Sequence, residues 1–104
     1  MPHLPGPYQR FVKDFPEINE AYSAFARACH DHGPLDEKTR RLVKLGIAVG
    51  HVSEGAVKSH ARRAIELGAT PEEVTHAVLL GMTTVGFPKT TAALEWIRDV
   101  LPEG

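Results

Sequence analysis

Between Leu42 and Val49 the chain reads LVKLGIAV, an apolar run broken only by Lys44. Asp36 is placed to cap a helix running from about Glu37 to Gly50, so the run fills that helix's second half and makes it apolar nearly all round. Such a helix has to be covered on more than one side. A chain of 104 residues has room for one domain, with few other elements to wrap a central helix. A second subunit is therefore expected to supply part of the cover, and Gly46 and Gly50 would permit close helix approach.

Proline and glycine divide the rest. Pro2, Pro5, Gly6 and Pro7 argue for an extended N-terminal arm over residues 1–13. Residues 14–104 then form a single helical domain of about five helices. Pro16 and Glu17 suit a first helical turn, and Ile18, Ala21, Tyr22, Phe25 and Cys29 recur as one apolar stripe. His30, Asp31, His32, Gly33 and Pro34 stop that helix. Ser53 is the natural cap of a third helix whose inward stripe is Val57, His60, Ala61, Ala64 and Leu67 or Gly68. Thr70, Pro71 and Glu73 spell a capping box with proline in the first turn. The fourth helix they open is expected to run to about Thr84, and Gly86 and Pro88 separate it from a last one containing Ala93, Trp96 and Ile97. No stretch alternates long enough to argue for strands, so the fold class is all-α.

Twelve Lys and Arg against thirteen Asp and Glu leave a net charge of -1, which recruits neither nucleic acid nor an anionic membrane. No uncharged stretch reaches the about 20 apolar residues of a membrane span, and the N-terminus lacks the layout of a signal peptide. A cytoplasmic location is expected. The one cysteine, Cys29, excludes an intrachain disulfide and any CxxC redox or zinc pair.

Six histidines stand out in so short a chain. His60 lies on the inward stripe of the third helix, where an imidazole can serve as general acid or base. The plainer reading is a core histidine satisfied by its neighbours. Ser53, seven residues earlier, is about 10 Å away along the axis and cannot act as a nucleophile on that base. Its simpler role is the helix cap. Ala56, one turn before His60, offers only a methyl group. His51, Glu54 and His60 are ligand types, but residues six apart point about 240° from one another, so no metal site is expected. His76 reads as a pocket, interface or solvent residue, and His30 and His32 as cations at a helix C-terminus. Arg41, at the border between the charged and apolar halves of the second helix, could hold a carboxylate or lay its stem along apolar surface. Cys29 reads as a small buried hydrophobe.

The stretch from Leu35 to Leu94 resembles the carboxymuconolactone decarboxylase and alkylhydroperoxidase AhpD-like family. The residues carrying the resemblance are Leu35 with Lys38, His60 with Ala64, the turn GATPEEV from Gly68 to Val74, and GFP from Gly86 to Pro88. It implies a helical fold assembled as homotrimers or homohexamers. Peroxidase members carry CxxCxxxH on the third helix and a glutamate one helix earlier; the histidine matches His60, the cysteines fall on Ser53 and Ala56, and the glutamate on Arg41. Thiol cycling needs sulfur, so that mechanism cannot run here. The decarboxylase branch implies a histidine beside a pocket, although its acidic residue is Ala56 in this chain. The expectation is a cofactor-free proton-transfer enzyme, decarboxylase or lyase in type, acting on a small organic acid or lactone. His60 would be its acid or base, Arg41 would hold the acid, and His51, Ser53, Ala56 and His76 would be pocket residues. The alternative is an oligomeric binding protein that has lost the family's peroxidase chemistry.

Overall fold

The computed structural model describes residues 6–102. It contains six α-helices: α1 (Gly6–Asp14), α2 (Pro16–Asp31), α3 (Glu37–His51), α4 (Glu54–Glu66), α5 (Pro71–Leu79) and α6 (Phe87–Arg98). A 3-10 turn, Leu80–Met82, follows α5. None of the described residues forms a strand, and no helix among them is long and apolar enough to cross a membrane. The chain divides into two compact units, Met1–Pro34 and Leu35–Gly104.

The first unit corrects the expected extended arm. Residues from Gly6 onward form α1, because Pro7 falls in the first turn, where its missing N–H costs nothing. Phe11 and Phe15, four residues apart, meet with ring centroids 5.4 Å apart. Pro2, His3 and Pro5 lie outside the described residues. In α2 the apolar stripe forms but stays exposed: Ile18 is 59%, Tyr22 62% and Phe25 66% accessible. Cys29 is exposed as well, not buried as expected, because it continues that same uncovered stripe. His30 occupies the last turn of α2 and His32 follows as its C-cap.

The second unit holds the core. Asp36 caps α3 by accepting from the Thr39 N–H at 2.8 Å, and the Thr70 and Glu73 capping box opens α5 with both of its hydrogen bonds made. The α4 helix ends in a Schellman motif. The Gly68 N–H donates to Ile65 O and the Ala69 N–H to Ala64 O, with Gly68 at φ +99°, which a side chain would resist. Helices α3, α4, α5 and α6 bury Leu45, Val49, Val57, Val74, Val78 and Ile97 around Ala61, Ala64 and Ala93. Each of the larger side chains contributes about 1.5–3 kcal/mol on burial, and the alanines let the axes approach. Gly81 sits where a Cβ would come within 2.9 Å of the Thr90 hydroxyl oxygen, so the turn after α5 depends on its being glycine. Leu67, 42% accessible, does not join the α4 stripe.

Candidate functional site

Arg41, Lys44, Ala48 and His51 lie three or four residues apart on α3, and Ser53, Ala56 and His60 recur likewise from the start of α4. Both spacings align side chains on one helix face. The two helices pack together, and between these faces lies a cavity of about 370 Å³ lined by Lys44, Ile47, Ala48, His51, Ser53, Ala56 and His60. That volume lies within the about 300–1,000 Å³ typical of small-ligand clefts.

The α3–α4 corner that brings His51 next to Ser53 is made by Val52, at φ 55° and ψ 42°. Left-handed backbone is costly for a β-branched residue. It is held there because the Val52 N–H closes onto Ala48 O and Val49 O. Ser53 then caps α4, its hydroxyl accepting from the Ala56 N–H at 3.4 Å.

His60 is half-buried and its Nδ1 lies 3.3 Å from Nη1 of Arg41. A guanidinium only donates, so Nδ1 accepts and the compatible ring is the neutral tautomer protonated on Nε2. Burial pushes the Arg41 guanidinium below its ordinary range, Arg63 adds to the shift as a like charge, and Glu37 opposes it. The Nε of Arg41 is buried without a hydrogen-bond partner. Arg41 does not line the cavity. Its Nη1 touches the imidazole of His60 instead.

His76 lies elsewhere. It lines a separate cavity of about 500 Å³, together with Thr39, Leu42, Gly46, Glu73 and Leu80. Glu73 in that cavity is tied to Lys38 at 3.2 Å and to the Thr70 N–H at 2.9 Å. The larger volume therefore offers a carboxylate already committed to structure, whereas the smaller one is lined by the imidazole of His60. Sequence reasoning passed over Lys44, Ile47 and Ala48 as lining residues. The signal was present: Lys44 is the lone charge in the apolar run and falls seven residues before His51.

A model of the carboxymuconolactone decarboxylase family matches residues 16–99. The fold is similar to a crystal structure of the apo form of a carboxymuconolactone decarboxylase family protein from Legionella pneumophila. The TM-score is 0.79 at 27% identity, covering 92% of this chain and 88% of that one. Over 88 residues the chain is 33% identical to an uncharacterized protein of Methanocaldococcus jannaschii, spanning 85% of this chain and 82% of that protein. A Haemophilus influenzae protein, also uncharacterized, is 33% identical over 62 residues, which span 60% of this chain and 55% of that protein.

Proposed function

The chain belongs to the carboxymuconolactone decarboxylase family, and from that premise we propose that it is a cofactor-free proton-transfer enzyme, decarboxylase or lyase in type, acting on a small organic acid or lactone in the cavity between α3 and α4. The observation carrying this reading is the 3.3 Å contact between Arg41 and Nδ1 of His60 at the cavity wall. With Nδ1 occupied, the ring works through its Nε2–H. When a bond breaks beside a substrate carbonyl, the electron pair moves onto that oxygen, and a hydrogen bond from Nε2 stabilises the charge as it forms. The guanidinium behind the ring assists, because a positive charge beside the imidazole favours negative charge growing on it. His60 is thus the acid of the pair and Arg41 the residue that sets its tautomer.

Ser53 and Ala56 put no thiol beside His60 for the family's peroxide chemistry, and the Ser53 hydroxyl is engaged as a cap. The reading includes assembly as a homotrimer or homohexamer. Supporting it, α3 buries Leu45, Ala48 and Val49 but leaves Val43 46% and Ile47 60% accessible, so this chain alone covers one side of its apolar helix.

The test is His60→Gln against a panel of lactones and carboxylates. On a substrate the native protein turns over, loss of about 10²–10⁴-fold is expected for removing a positioned acid. An unchanged rate would remove His60 from the chemistry, and no turnover of any panel member by the native protein would favour the alternative of a non-catalytic binding protein.

A further inference from the structure

We propose that Lys44 is the anion-binding residue of the α3–α4 cavity and that the ligand held there is a small carboxylate with an apolar body. The proposal rests on the reading of this cavity as the functional site and deepens it by naming what is bound and by which group.

Arg41 is the residue a sequence reader would choose to hold an acid, but its Nη1 meets His60 and its side chain does not line the space. Lys44 is three residues further along α3, half-buried, and on the lining. Of the described lining residues none carries a carboxylate; Lys44, His51, Ser53 and His60 all bear N–H or O–H donors. Arg41 stands immediately behind His60, with Arg63 near enough to add to the positive field. An anion entering here meets cationic and neutral donors, and in a partly buried site that attraction is several times stronger than in bulk water. Lys44 already has an interaction within the protein. An ammonium carries three donors, so it can serve a protein group and a bound anion together. The same lining includes Ile47, Ala48 and Ala56, which suit hydrocarbon. A ligand bridging the two has its carboxylate at Lys44, its apolar body on α3 and α4, and its reacting oxygen toward His60.

The experiment is titration of the full chain with benzoate, benzamide and inorganic phosphate, followed by amide chemical shifts in the native protein and in Lys44→Met and Lys44→Arg. Saturable shifts from benzoate are expected within residues 44–60, with affinity at least about tenfold above that for benzamide, the weight of one charge-assisted contact. Lys44→Met should lose about that tenfold for benzoate and leave benzamide unchanged, and Lys44→Arg should retain benzoate. Equal benzoate binding by Lys44→Met, equal binding of benzamide or phosphate and benzoate, or no saturable binding by the native protein would each overturn the proposal. The two readings fail separately. If His60→Gln abolishes turnover while Lys44→Met binds as native does, Lys44 is wrong and the acid stands; with the opposite pattern, the anion site stands and the chemistry falls.

Discussion

An arginine placed against a histidine nitrogen decides which proton that ring can give. At 3.3 Å from a group that has no acceptor, Nδ1 of His60 has to accept. Nitrogen-15 spectra of the ring are therefore expected to show Nε2 protonated and Nδ1 as an acceptor. In Arg41→Met that preference should collapse toward a mixture of tautomers, with turnover falling by about 10-fold or more as the acid loses its orientation. Unchanged ring nitrogens in the variant would make Arg41 a packing residue only. His60 was legible in the sequence because an imidazole on an alanine-lined stripe breaks a pattern. The partnership with Arg41 was not, since residues nineteen apart on separate helices meet only through the packing of α3 on α4. Lys44 was visible but was read as an interruption; only the cavity gives a lysine in an apolar run a direction.

Helix starts were the most readable features, and for local reasons; the fourth expected helix ends at Leu79, not near Thr84, and gives way to the 3-10 turn Leu80–Met82. The caps at Asp36, Ser53 and Thr70 are hydrogen bonds to residues three further on, so sequence alone contains both partners. Where the outcome depends on context, legibility failed. Prolines suggested an extended segment at the N-terminus, but Pro7 falls in a helix's first turn, where proline is tolerated. Val52 gave no signal either, because a β-branched residue is the last choice for φ 55°. Val52→Gly is accordingly expected to raise stability by about 1 kcal/mol in chemical denaturation by removing the left-handed penalty; a loss of stability would mean that the Val52 side chain contributes more than its backbone costs. The α3–α5 link carries a pH dependence of known sign. The Thr70 N–H first, then Lys38, hold the Glu73 carboxyl below the usual range. A carboxyl depressed in the folded state stabilises the protein above the ordinary carboxylate range and loses that contribution as pH falls through its folded value. Melting temperature should therefore fall with acidification less steeply in Glu73→Gln than in the native protein, and salt should shrink the difference because Glu73 is solvent-facing. Parallel acid profiles for the two would contradict this.

Among the described residues, several large apolar side chains stay at the surface. Val43 and Ile47 on α3 and Ile18, Tyr22 and Phe25 on α2 are all more than two-fifths accessible, a pattern expected of surfaces that meet other surfaces. Sedimentation at micromolar concentration is expected to give a trimer or hexamer, and Val43→Glu to shift it toward monomer without unfolding; a monomeric native protein would contradict the assembly. The run around Lys44 carried this expectation in the sequence, because the imbalance between apolar surface and available cover can be counted without knowing the fold. The number of subunits could not be, since it depends on the angle at which faces meet. The central claim, that an imidazole set by a guanidinium donates its Nε2–H to the carbonyl oxygen of a bound acid and stabilises the charge forming there, is tested most directly by deuterium incorporation. In heavy water, a small carbon acid held between α3 and α4 should lose the hydrogen next to its carbonyl to solvent, which acts as the base and returns deuterium, at least about 100-fold faster with the native protein than in buffer, because the Nε2–H stabilises the enolate oxygen; His60→Gln should return the rate to background. Exchange that persists in His60→Gln, or a native protein that binds the acid and leaves its hydrogen in place, would contradict the account.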